Sequence, residues 1–179
     1  MIKDNIISDS DKRGISVTGS TSHDGVIESN TITNSGTQGI LIQHSDYYYL
    51  GNTSVSGSGN SDIQFFKTTI GNSAKNITFS SINVHENAYF AIYNDLTLKF
   101  MQNATVGFED LDVKLVSDGS DKYVTSYYGG SDSKTDSNGL ISKNFTLKFR
   151  IYDGSSTPDE ATTTSVSYTH LTLPTICSV

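Results

Sequence analysis

Ile7, Ile32 and Val55 recur at intervals of about two dozen positions, and each is followed eight places later by another isoleucine: Ile15, Ile40 and Ile63. Val84 and Ile92 repeat the pair after a longer interval. Two more columns agree. Ile27, Leu50 and Phe79 precede Ile32, Val55 and Val84 by five places, while Val17, Ile42 and Phe65 follow Ile15, Ile40 and Ile63 by two. Turn formers fill the gaps, as in Asn34-Ser35-Gly36-Thr37-Gln38-Gly39 and Ser56-Gly57-Ser58-Gly59-Asn60-Ser61. Strands this short cannot bury an apolar face alone. Stacked on a copy about 4.8 Å away, each gains ladder hydrogen bonds and sets like side chains over like. One coil therefore reads strand, turn, strand, longer turn, strand. Gly14 and Gly39 take equivalent places before a strand, where the chain turns tightly. The long interval before Val84 is expected to hold an insertion around 68–75 that projects as a loop.

Composition agrees with many strands and turns. Ser, Thr, Asn, Asp and Gly abound, with ten Tyr and eight Phe, and the net charge is −7. Phosphate binding needs clustered Lys and Arg, so an acidic chain without a basic stripe excludes nucleic acid as partner. No apolar run is long enough to span a membrane as a helix. The single cysteine, Cys177, provides no disulfide framework.

The run Asn30-Thr31-Ile32-Thr33-Asn34-Ser35 followed by Gly39-Ile40 resembles the parallel β-helix repeat family. That family includes pectate lyases, rhamnogalacturonases, tail-spike proteins, periplasmic copper-site maturation proteins and many archaeal surface proteins. The resemblance covers Asn5 to Asn94 and implies a right-handed parallel β-helix of about four coils over residues 1–94. It is specific for fold and nearly silent on function. The all-β architecture and the lack of a disulfide framework lead to an expected extracellular or cell-surface location, with polysaccharide or cell-envelope glycans as the partner class.

From Leu96 the long period stops and strict alternation begins. Val106, Phe108, Leu111, Val113 and Leu115 form one run, and Phe145, Leu147, Phe149 and Ile151 another, as in strands with one face on a core. Thr135-Asp136-Ser137-Asn138-Gly139 before an apolar strand resembles a motif of carboxypeptidase-regulatory-like and immunoglobulin-like modules. That resemblance implies a partial β-sandwich over 95–165; irregular final coils or a cap are the other reading of the same residues.

Val166-Ser167-Tyr168-Thr169-His170-Leu171-Thr172-Leu173-Pro174-Thr175 resembles one translated frame of a transposon-end sequencing adapter. Residues 166–179 are therefore expected to be a non-native tail, which places Cys177 outside the native chain. Ile7 already occupies a repeat position, so the coil stack is expected to begin before Met1, in a longer protein.

The candidate sites are few. Asn52-Thr53-Ser54, Asn76-Ile77-Thr78, Asn103-Ala104-Thr105 and Asn144-Phe145-Thr146 match the N-glycosylation sequon, and Asn52 also reads as a stacked turn residue. Asp132, Asp136 and Asn138 beside Gly139 suggest a calcium loop, but Lys134 stands where a carboxylate ligand is needed and no bidentate Glu follows. His44 is aligned with Gly19 and Lys67, apart from His23 and His85, which leaves no metal set and no cofactor site. Glycoside hydrolysis needs two carboxylates, whereas the outward face offers Arg13, Gln38, Gln43, Gln64 and Lys67 with Asp62 as its one acid; Asp46 falls in a turn. No catalytic residue is assigned. The same face is expected to gather Leu41, Gln43, Gln64, Phe66 and Tyr93, flanked by Tyr47, Tyr48 and Tyr49. Rings stack on sugar C–H faces and amides bond hydroxyls, so Gln43, Gln64, Phe66 and Tyr93 are the expected polysaccharide-binding set. The leading expectation is a non-catalytic surface or adhesin-type protein. A polysaccharide lyase or glycoside hydrolase with its catalytic coils elsewhere is the alternative, and a periplasmic maturation factor lacks the metal ligands it would need.

Overall fold

The computed structural model describes residues 1–19, 25–67, 69–117, 119–160 and 164–168. The fold is all-β, and its first part is a solenoid of about four turns. The chain divides into two units, Met1–Asn94 with Lys148–Ala161, and Asp95–Leu147 joined by the last strand. The stretch 95–165, expected to form one module, thus gives residues 148–161 to the solenoid.

Three parallel ladders build that solenoid. The first stacks β1 (Ile2–Lys3), β4 (Val26–Glu28), β7 (Tyr49–Gly51), β10 (Thr69–Lys75) and β12 (Ala88–Leu96). The second stacks β2 (Ile6–Ser8), β5 (Thr31–Thr33) and β8 (Ser54–Ser56), and the third β3 (Ile15–Thr18), β6 (Gln38–Gln43), β9 (Ser61–Phe66) and β11 (Ile82–Val84). Register follows the apolar columns: Ile7 on Ile32 on Val55, Ile15 on Ile40 on Ile63, and Val17 on Ile42 on Phe65. Ile27, Ile32, Ile40, Ile42, Leu50, Ile63 and Phe65 are fully buried, each contributing about 1.5–3 kcal/mol over exposure.

Polar corners join the ladders, and each corner column carries a residue in the left-handed region. Asp4, Ser29, Asn52 and Asn76 make one column, Asp9, Asn34 and Gly57 a second, and Gly19, His44 and Lys67 a third, with φ between 48° and 71°. Asx and Gly residues tolerate that conformation. The inter-coil bonds continue through the corners: Ser29 N–H donates to Gly51 O at 2.9 Å, Asn52 N–H to Lys75 O at 3.1 Å and Asn34 N–H to Ser56 O at 3.0 Å. Asn76 Nδ2 donates to Asn52 Oδ1 at 3.1 Å, so Asn52 is indeed a stacked turn residue.

The fourth coil departs from the expected register. Val84 pairs with Phe65 and Ile82 with Ile63, so Val84 belongs to the third ladder and does not follow Val55. A single parallel bridge joins Ser54 to Thr78 instead, leaving Phe79, half-buried, next in line after Val55. Residues 69–75 are no projecting loop. They form β10, whose Ala74 lies between Leu50 and Ile92 and is fully buried. Their composition, Thr-Ile-Gly-Asn-Ser-Ala-Lys, conceals the strand, because Ala74 is the one apolar residue that reaches the core. The long interval before Val84 therefore combines two effects, a coil of ordinary length from Leu50 to Ala74 and a shortened one from Ala74 to Ile92.

Antiparallel pairing ends the stack. In β15 (Phe145–Asp153), Tyr152 stacks on Phe90 at 6.1 Å, and just beyond it Gly154 N–H donates to Ala88 O at 2.9 Å. Residue numbers rise on one side as they fall on the other, so β15 runs against β12. Ser156 Oγ accepts the Val84 N–H at 3.0 Å, and β16 (Asp159–Glu160) forms the sheet edge. Two residues, both acidic and preceded by Pro158, make a poor template for a further strand.

In the second unit, β13 (Val113–Ser117) lies between β14 (Ser120–Val124) and β17 (Thr164–Tyr168), all antiparallel. Leu111, Val113, Leu115, Tyr123, Ile141 and Phe145 form its core. The Tyr123 hydroxyl donates to the Ser133 carbonyl, fastening the connection between the apolar runs. Alternation along β15 breaks where the strand changes unit: Phe145 faces the second core, whereas Tyr152, seven places on, faces the first. Phe149 between them is 49% exposed. Of the expected tail, Val166–Tyr168 complete β17, and residues 169–179 lie outside the described residues.

Candidate functional site

Strands of the third ladder alternate, so residues between the buried isoleucines point outward. One outward row runs Ser16, Leu41, Gln64, Asn83, and the next Thr18, Gln43, Phe66. Gln43 and Phe66 are direct neighbours across the β6–β9 ladder, both half-buried. Leu41 is almost covered, with 3% of its surface accessible. His85 follows β11 and brings its ring edge-on to Phe66, with centroids 5.5 Å apart at 78°. Lys67 Nζ lies 5.9 Å from the same ring. Below, Arg13 Nε donates to Gln38 Oε1 at 3.1 Å.

Tyr93 does not join this face. It sits on β12 beside Lys75, in the row Lys3, Glu28, Gly51, Lys75 of the first ladder, where Lys3 pairs with Glu28 at 3.3 Å. The cause is the fourth-coil register, since reading Ile92 as the partner of Ile63 placed its neighbour Tyr93 beside Gln64. His85 was missed for the same reason: with β11 recognised, its position two places after Asn83 would have placed it next to Phe66. The tyrosine triplet spreads out. Tyr48 packs over Gly25 and Tyr47 over Gly71, where a Cβ would collide with either ring, and Tyr49 lies over Gly51.

Asp62, the acid of the face, is committed to backbone. Its carboxylate accepts the N–H groups of Ser58 at 3.2 Å, Ser80 at 2.8 Å and Ser81 at 3.2 Å, and it is 1% exposed. A carboxylate that accepts three backbone N–H groups and is almost closed to solvent organises two turns. Asp46 likewise accepts the Ile70 N–H at 2.8 Å. His44, in its left-handed corner, is exposed, and His23 lies outside the described residues.

The loop suspected of calcium binding uses its side chains internally. Asp132 accepts the Val124 N–H at 2.6 Å, and Asp136 the N–H groups of Leu140 and Asn138 at 2.9 and 2.8 Å. Lys134 binds Asp112 at 3.0 Å. Among the described residues no three His, Cys, Asp or Glu side chains are grouped to hold a metal ion. Asp136 is held below the ordinary carboxylate range chiefly by the Leu140 N–H, outweighing its desolvation. For Asp112 burial pushes upward, and hydrogen bonds from Thr125, Lys134 and the Tyr127 N–H, with the Lys134 charge, bring it below its ordinary value.

A lowered carboxyl stabilises the folded form fully above the unfolded value of about 3.9, and that contribution disappears as pH falls through the lower folded value. The second unit is thus expected to lose stability below about pH 4. Denaturant midpoints measured between pH 2 and 7 check this. Asp112→Asn should lower the neutral midpoint and flatten the acid slope; an unchanged slope would remove Asp112 from the account.

Compared with known proteins, the chain matches no family model, no curated protein and no solved structure.

Proposed function

We propose that the chain is part of a non-catalytic extracellular or cell-surface protein of adhesin type that binds polysaccharide on the outward face of the third ladder. The observation that carries this reading is the pairing of Gln43 with Phe66, with Gln64 on the adjacent row, beside an acid already consumed by backbone bonds. A ring held edge-on by His85 offers a sugar a preset apolar plane, and the two amides supply donors and acceptors for its hydroxyls. Repetition of the ladder suits a ligand that is itself a repeating chain. The same reading takes the solenoid as a pectate-lyase-like parallel β-helix stalk and the second unit as a remnant of an immunoglobulin-like or carboxypeptidase-regulatory-like sandwich. It also assigns residues 166–179 to adapter sequence, so β17 would end on residues foreign to the native chain.

Co-sedimentation with insoluble polysaccharides, followed by a soluble glycan panel, tests the site. Phe66→Ala is expected to weaken binding about tenfold, the equivalent of one aromatic stacking contact. Unchanged affinity in Phe66→Ala, with the fold intact by circular dichroism, would reject the face. Release of new reducing or unsaturated ends from any polysaccharide would instead favour the alternative of a lyase or hydrolase.

A further inference from the structure

Four sequons stand in the chain, and the structure separates one from the rest. Asn103 occupies the tip of a tight loop. Met101 bridges Gly107 antiparallel, and Gln102 N–H donates to Val106 O at 2.8 Å, leaving residues 102–106 exposed. Asn103 Oδ1 accepts the Thr105 N–H at 3.0 Å, the Thr105 hydroxyl at 3.1 Å and the Val106 N–H at 3.0 Å. The third residue of the sequon thereby grips the carboxamide through its oxygen. Among the described residues Nδ2 donates to none, and Asn103 is exposed.

The other three differ at that third residue. Ser54 lies inside β8, paired with Thr31 on one side and bridged to Thr78 on the other. Thr78 is held in that same bridge, with its N–H on Thr53 O at 3.0 Å and its carbonyl accepting from Val55 at 2.8 Å. Thr146 lies inside β15 and gives its hydroxyl to Asp95 at 2.8 Å, while Asn144 Oδ1 receives Thr97 Oγ1 at 2.9 Å. A transferase must draw the sequon backbone into its own cleft, so these three would have to unpair strand first.

We infer that Asn103 is the site of N-glycosylation in the folded protein, with Thr105 as the residue that presents it. The donor would be a lipid-phosphate-linked oligosaccharide. The Asn103 Nδ2–C1 bond forms as the C1–O bond to phosphate breaks, the electron pair leaves with the phosphate, and the amide proton passes to solvent or to a transferase base. In the cell the modification rests on the surface location proposed above, but the ranking of the four sites does not.

The test separates the two. Folded, purified chain is incubated with an archaeal-type oligosaccharyltransferase and its lipid-linked donor, and glycopeptides are quantified by mass spectrometry. Occupancy at Asn103 is expected to exceed that at Asn52, Asn76 and Asn144 by at least about tenfold, because only those three require local opening. Thr105→Ala should abolish it and Thr105→Ser retain it. A urea-unfolded sample should accept glycan at all four with the preference removed. A folded chain left bare at Asn103, or modified equally elsewhere, overturns the inference. Neither outcome bears on polysaccharide binding by Phe66, which is measured on unglycosylated protein.

Discussion

Truncating Phe90 to alanine is expected to destabilise the solenoid by about 3–5 kcal/mol, the largest effect of any single apolar substitution here. Phe90 is fully buried, stacks on Phe65 at 4.5 Å and meets Tyr152 at 6.1 Å. It thus joins the last parallel coil to the antiparallel strand that closes the stack. Its removal leaves a void between the Phe65 and Tyr152 rings that the surroundings fill only in part. Phe90→Leu, which keeps most of the volume, is expected to cost less than about 2 kcal/mol. Urea denaturation followed by far-ultraviolet circular dichroism measures both, since the chain has no Trp to report by fluorescence. A Phe90→Ala midpoint within error of the parent would show that the closing strand does not depend on this contact.

Asn30→Ala is expected to cost about 2–4 kcal/mol through bonds rather than volume. Asn30 is 1% exposed, and its side chain is saturated. Oδ1 accepts from Asn5 N–H at 3.1 Å and Asn5 Nδ2 at 3.0 Å, and Nδ2 donates to Ile2 O at 3.1 Å and Glu28 O at 2.9 Å. Its own N–H reaches Thr53 Oγ1 at 3.4 Å, so one residue ties three successive coils. Alanine takes the side-chain partner from Ile2 O and from the Asn5 N–H in a part-buried corner, while Glu28 O keeps the Asp4 N–H at 3.2 Å. Asn30→Asp keeps the shape and the acceptor but loses both donors. It should be at least as damaging at neutral pH and partly relieved on acidification, when its carboxyl can donate once. Denaturant midpoints at pH 7 and pH 4 distinguish the two variants, and equal behaviour at both would exclude the side-chain bonds as the cause.

The legible part of the fold was the part in which one apolar residue type recurs in one place. Ile15, Ile40 and Ile63 marked the register directly, as did Ile7, Ile32 and Val55. The fourth coil was not legible, because Val84 and Ile92 happen to keep the spacing of earlier pairs while belonging to two different ladders. Alanine at position 74 carries too little hydrophobic signal to mark a core column, so a buried strand read as an insertion. The outward face inherited the error. Gln43, Gln64 and Phe66 lie together because they sit in the regular coils, whereas Tyr93 and His85 exchanged places with the register. Alternation found β13 and the stretch Phe145 to Ile151 of β15 but not the change of face between Phe145 and Tyr152, which depends on two cores and so on no local pattern.

The shortened final coil also limits how such a chain can vary in length. Unequal exchange between the regular repeats, from Ile7 to Val55, adds or removes a whole turn whose corners and columns match both neighbours. The short turn ending at Ile92 has a smaller perimeter and already accepts an antiparallel partner on its open side. A duplicated repeat inserted there would meet a strand running the wrong way. On this side the solenoid can therefore be lengthened only within its regular coils, in steps of one ladder spacing, about 4.8 Å, with β12 and the antiparallel strand beside it kept last.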